Sequence, residues 1–110
     1  MARNIPRERK IDMYKAILEL KDLQECCDFF EDICAVTELR AMEQRFEVAK
    51  MLYSNNVYTE IMQKTKASSA TISRVNRMPN YGTGCLSRVL GRLAAKEDDN
   101  NEAKNEANEN

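Results

Sequence analysis

The chain has 110 residues, of which 32% are charged and 43% hydrophobic, with no histidine, no tryptophan and a formal net charge of −1. That length closes one small domain, and a domain this size hides only about 60–65% of the surface its unfolded chain exposes, so an oligomer that shares a core, most simply a homodimer, is expected. With no histidine, no glycine-rich phosphate loop and no carboxylate pair set apart from helix-surface acids, the composition argues against an enzyme.

In chain order, residues 1–7 read as a basic arm, and residues 1–10 hold Arg3, Arg7, Arg9 and Lys10 against Glu8. Periodicity from Arg9 to Leu23 places Ile11, Tyr14, Ile17 and Leu18, with Met13 and Leu20 beside them, on one stripe of a first helix that Pro6 suits as a start. The segment Leu23–Val36 spaces Leu23, Cys27, Phe30, Ile33 and Cys34 as a second helix expected to be buried on most sides. Cys26, Cys27 and Cys34 lie among Phe29, Phe30, Ile33 and Val36, so buried reduced thiols are expected; with Cys85 and no histidine they offer no zinc ligand ladder. This is a cytoplasmic pattern. No apolar run follows the N-terminal bases and none approaches 18 residues, so neither a signal peptide nor a membrane span is expected.

Thr37 is a candidate cap for a third helix reaching about Ser54, with Leu39, Met42, Phe46, Ala49, Met51, Leu52 and Tyr53 on a wide apolar stripe. Ser54-Asn55-Asn56 then stops it. A short fourth helix starts at Tyr58 with Ile61 and Met62 inward, and Lys64 to Ser68 forms a turn without glycine. Ser68 or Ser69 caps a fifth helix to about Met78, whose Ile72, Val75 and, with them, Ala70 turn inward. Residues 58–78 thus have the layout of a helix-turn-helix. Pro79-Asn80-Tyr81-Gly82 breaks the chain. A sixth helix follows from Thr83 or Gly84, with Leu86, Val89, Leu90 and Leu93 inward and Arg88 and Arg92 opposite. Residues 96–110 hold no large apolar side chain and are expected to be a disordered acidic, Asn-rich tail. No strand pattern occurs, so the class is all-α.

Charge is segregated along this order. Residues 11–60 carry eleven acids against five bases, whereas residues 61–95 carry Lys64, Lys66, Arg74, Arg77, Arg88 and Arg92 without one acid. Such a patch is the footprint of a phosphate-binding surface. A major groove about 12 Å wide admits one helix, and small polar side chains on its first turn let the backbone approach the base edges. Ser68, Ser69, Ala70, Thr71 and Ser73 have that size. Arg74 and Arg77, at i and i+3, share a face and reach phosphates, while Lys64 and Lys66 flank the turn. Hydroxyls discriminate bases weakly, so readout is expected to lean on water, Asn76 and DNA shape. Double-stranded DNA is the expected partner. The alternative is a helical adapter or sigma-like module that uses the same motif on protein.

The residues also resemble a known family. Ala70-Thr71-Ile72-Ser73-Arg74 stands where Trp repressors carry Ala-Thr-Ile-Thr-Arg at the start of the recognition helix, and Thr37-Glu38-Leu39-Arg40 through Leu52 fits their long third helix. Residues 8–95 are similar to the family's Gram-positive branch, the TrpR-like proteins called YerC/YecD. The resemblance implies a six-helix transcriptional regulator, a repressor, that dimerises by intertwining its N-terminal helices and the last one. Half-sites about one helical turn apart belong to helix-turn-helix dimers in general, Trp repressor included, and are no reading of this chain. The resemblance also implies L-tryptophan as corepressor, its indole between two arginines for which Arg45 and Arg74 stand. Val75 replaces the glycine that leaves room for the ring, and its branched side chain crowds the slot. Another small molecule between the third and fifth helices, or no effector, is then expected, with Arg45 alternatively in an ion pair with Glu38, Glu43 or a partner subunit.

Overall fold

The computed structural model describes residues 7–109, apart from the side chains at 79–81 and 102–109, so the basic arm lies outside the description except for Arg7. Six helices follow in order: α1 (Ile11–Ile17), α2 (Leu23–Ile33), α3 (Val36–Tyr53), α4 (Tyr58–Thr65), α5 (Ser69–Tyr81) and α6 (Cys85–Glu109). No strand occurs among the described residues, and the class is all-α. The chain forms two compact units, the first ending at Leu39 and the second beginning at Arg40.

In the first unit, the single helix expected between Arg9 and Leu23 is shorter, because a stronger local signal follows it. Asp22 is extended at φ −152° and its carboxylate accepts from the Glu25 amide, a side-chain cap that starts α2 and leaves residues 18–21 to turns. A second side-chain contact sets the start of α3. The Ala35 amide donates to Glu38 Oε1 at 2.8 Å and the Leu39 amide to the Ala35 carbonyl at 3.0 Å, which puts Ala35, not Thr37, at the cap. Glu38 thus supplies the returning half of a capping box.

The expectation that α2 is buried on most sides is not met in one chain: neither α1 nor α2 contains a buried residue. Leu18 is 85% and Leu23 79% exposed, and Ile33 and Val36 lie open beside them. The thiols follow suit. All four cysteines are free; Cys85, of the second unit, is exposed, while here Cys26 and Cys34 are half-buried and Cys27 exposed, since this unit has too few residues to enclose its own apolar face.

The second unit has the core: Val48, Ala49, Ile61, Ala67, Ile72, Val75 and Leu90, with Phe46, Met51 and Leu52 packed against it. Fully burying an aliphatic side chain contributes about 1.5–3 kcal/mol, so Val48, Ile61 and Ile72, each 0% exposed, dominate. Val48 is outside the expected stripe because α3 is covered on two sides. Gln44 donates to the Thr65 carbonyl at the end of α4, while farther along, Lys50 pairs with Glu97 of α6 at 3.6 Å. Gly91 lets α6 come close at Tyr53, whose hydroxyl lies 3.1 Å from where a Cβ would stand. Met62, Leu86 and Leu93, expected inward, are 38–40% exposed.

Two ends differ from the sequence expectation. The break at Pro79 does not stop α5, which continues to Tyr81 and closes with the Gly82 amide on the Met78 carbonyl at 2.8 Å; the proline costs α5 the bond that an N–H there would make to the Val75 carbonyl. The tail expected to be disordered from residue 96 is instead helical, α6 reaching Glu109. Once packing has nucleated a helix, each added residue needs only its own backbone bond, and Ala, Glu and Lys propagate well without glycine or proline to interrupt them.

Candidate nucleic-acid interface

The turn between α4 and α5 is built without glycine. Lys66 takes the left-handed conformation, φ 62° and ψ 14°, and its amide caps the Met62 carbonyl, the geometry of an αL helix ending. Thr65 clamps it from both sides: its hydroxyl donates to the Ile61 carbonyl at 2.7 Å and accepts the Ala67 amide at 3.2 Å. Ala67, 4% exposed, plugs the turn into the core. Ser68, rather than Ser69, then caps α5, its hydroxyl accepting the Thr71 amide at 3.1 Å and standing 3.1 Å from Thr71 Oγ1. Gln44, Thr65 and Ala67 escape a reading by residue type. Their roles depend on where α3 meets the turn, and only the absence of glycine hinted that something else must hold it.

From that cap α5 runs about 20 Å with Ile72 0% and Val75 3% exposed. Ser69, Ala70, Arg74 and Arg77 are exposed, Ser73 and Thr71 half-buried, and Lys64, Lys66 and Ser68 exposed around the turn. Ala70 therefore faces out, not in. The ion pair found among the described residues, Lys50–Glu97, involves none of these cations. The first turn of α5 holds no acid, which leaves the positive end of the helix dipole available to an anion. Asn76 does find a partner: its Nδ2 donates to Tyr58 Oη at 3.3 Å.

Neither Arg45 nor Arg74 lines the crevice of about 160 Å³ beside Val75. Both are exposed, and that crevice, which α3, α5 and α6 form, is lined by Ala49, Leu52, Tyr53, Val75, Asn76, Leu86, Ser87 and Leu90. Val75 occupies its wall. A wider groove of about 480 Å³ lies between α3 and the end of α4, walled by Glu43, Glu47, Lys50 and Lys64. No cluster of potential metal ligands occurs among the described residues, and no described helix is long and apolar enough to cross a membrane.

A short helix, a clamped turn and a second helix that is anchored by two aliphatic residues and basic on its outer side define a helix-turn-helix protein. The family model described as Trp repressor protein matches residues 11–94, and the chain belongs to that family. Within it, the chain is of the YerC type: it is 45% identical to YerC of Bacillus subtilis (strain 168) over 92 residues, 83% of this chain and 88% of YerC. Its fold is similar to the crystal structure of a TrpR-like protein from Eubacterium eligens ATCC 27750, with TM-score 0.71 and 55% identity over 74% of this chain and 84% of that one. A proposed Trp repressor from Staphylococcus aureus superposes equally well, with TM-score 0.71 and 35% identity over 79% and 96% of the two chains.

Proposed function

We propose that the protein is a sequence-specific DNA-binding transcriptional regulator, a repressor, that lays α5 in the major groove. One observation carries this reading: Arg74 and Arg77 project from a helix whose opposite side is fixed by Ile72 and Val75, in a segment of 35 residues with six bases and no acid. Ser69, Ala70, Thr71 and Ser73 meet base edges, while Lys64, Lys66, Arg74 and Arg77 meet phosphates. Membership in a family of repressors rather than of enzymes supports it.

The working form is an intertwined homodimer. Its support is the uncovered apolar face of α1 and α2, where Ile11, Tyr14, Leu18, Leu23 and Ile33 are exposed, a face that single-chain proteins rarely leave in contact with water. Tryptophan is not its effector in this reading, since Val75, 3% exposed, stands where the repressors carry glycine and its branched side chain crowds a ring; a different small molecule would fit the crevice beside Val75 and Asn76.

Selection of bound sites from random duplexes by the purified protein, with and without tryptophan, tests all three parts. The expected result is an enriched palindrome, the same in both arms, bound with a log–log salt slope of about −0.9 per neutralised phosphate. Absence of enrichment together with salt-independent behaviour would replace DNA by a protein partner and make the chain an adapter.

A further inference from the structure

The helix-turn-helix is a lever with two arms that meet at Lys66–Ser68. Ile61 on α4 and Ile72 on α5 share one buried cluster, and apolar burial is non-directional, so it draws the arms together without fixing the angle between them. The described side-chain hydrogen bond that joins α4 to α5 away from the turn runs from the middle of α5 to the far end of α4: Asn76 Nδ2 to Tyr58 Oη, 3.3 Å. At 1.5 Å of rise per residue each partner stands about 12 Å from the turn, where a 1 Å displacement is a rotation of about 5°.

We infer that Tyr58 and Asn76 are a brace that sets the angle at which α5 meets DNA, and thereby positioning residues for sequence discrimination. The inference rests on the DNA-binding reading above. Neither side chain is charged, so the brace adds nothing to the phosphate attraction that supplies non-specific affinity. Hydrogen bonds to base edges weaken steeply with misalignment, so a rotated α5 loses the best site first. Engagement of Asn76 also removes one of its two N–H donors from base readout, the role its residue type suggests.

Tyr58→Phe removes Oη and little else. In the full chain it is expected to weaken binding to the best selected site about 3–10-fold, the range set by one hydrogen bond, while affinity for random duplex and the salt slope stay at the parent values. Asn76→Ala is expected to do the same, and the double variant to be no worse than either single, as for two halves of one contact. An unchanged best-site affinity overturns the brace. So does an equal loss on both duplexes at an unchanged slope, which would make Tyr58 a neutral phosphate donor instead. The parent protein is titrated first: if it binds no duplex, the DNA-binding reading itself has failed, and that result is distinct from either outcome of the variants.

Discussion

Replacing Lys66 by glycine separates the stability of the turn from its use. At φ 62° and ψ 14° the Cβ of an L-residue crowds the following carbonyl, which costs ~1–2 kcal/mol. Glycine avoids that cost but loses more backbone freedom on folding, ~0.5–1 kcal/mol. The difference leaves Lys66→Gly about 0–1.5 kcal/mol more stable, and because Lys66 is exposed and outside the ion pair found, removing its ammonium takes no contact from the fold. A domain of 60–100 residues gains about 4–8 °C in Tm per kcal/mol, so thermal unfolding is expected to shift upward by up to roughly 12 °C, at a fixed protomer concentration because assembly makes Tm depend on it. Lys66→Ala keeps the strained backbone and is expected to melt close to the parent. On DNA the two variants behave alike: each loses one phosphate partner, and the salt slope flattens by about one unit. A Lys66→Gly protein that melts below its parent would refute the reasoning, since the strain attributed to this backbone would then be absent in solution. A lysine kept where glycine is cheaper is the pattern of strain retained at a site of use.

Ile72→Ala empties a position that is 0% exposed and is expected to cost about 2–5 kcal/mol in urea unfolding; a loss below about 1 kcal/mol would mean that α5 is not seated on this core. Arg77→Ala is expected to weaken binding to all duplexes alike and to flatten the salt slope by about one unit, and an unchanged slope would place Arg77 away from DNA. Thr71→Ala is expected to cost about 1–3 kcal/mol on the best site and little on random duplex, in a comparison of the two dissociation constants; equal losses would refute a base-reading role. Deleting residues 96–110, which carry six acids and two bases, is expected to tighten binding to random duplex at low salt if that stretch competes with DNA for the basic segment. It also removes the Lys50–Glu97 pair, but an exposed pair contributes ~0–1 kcal/mol, so the fold should survive, and unchanged affinity would dismiss the competition.

What could be read from the chain alone was what local chemistry decides. The Ile72 and Val75 anchors of α5 and its serine cap follow from helical spacing and from a hydroxyl within reach of a bare amide. The start of α3 did not follow, because Thr37 is the better capping residue by type and loses to Ala35 only through the carboxylate of Glu38 returning to the Ala35 amide. Partners distant in sequence were equally hidden. Nothing in residue type says that Gln44 holds the Thr65 carbonyl or that Asn76 is taken by Tyr58, since both depend on how α3, α4 and α5 are placed. Burial misled in both directions: α2 looked like core, yet one chain has nothing to cover it, and the tail looked unfoldable although a helix already nucleated by Leu90 can propagate without burying more.

These departures bear on how so small a core can serve a reading head. Seven buried residues among those described make a fold with little stability in reserve, and a recognition helix that rocked would spend base contacts faster than phosphate contacts. The structure counters this with directional bonds placed around the turn rather than with more apolar area: Thr65 to Ile61 and Ala67, Gln44 to Thr65, Ser68 to Thr71. Each of them ends on a backbone group, so substitutions on the outer face of α5 leave them intact. The residues assigned to DNA in the proposed reading, Ser69, Ala70, Ser73, Arg74 and Arg77, are thereby free to change with the operator while Ile72, Val75 and the turn keep the helix where it is.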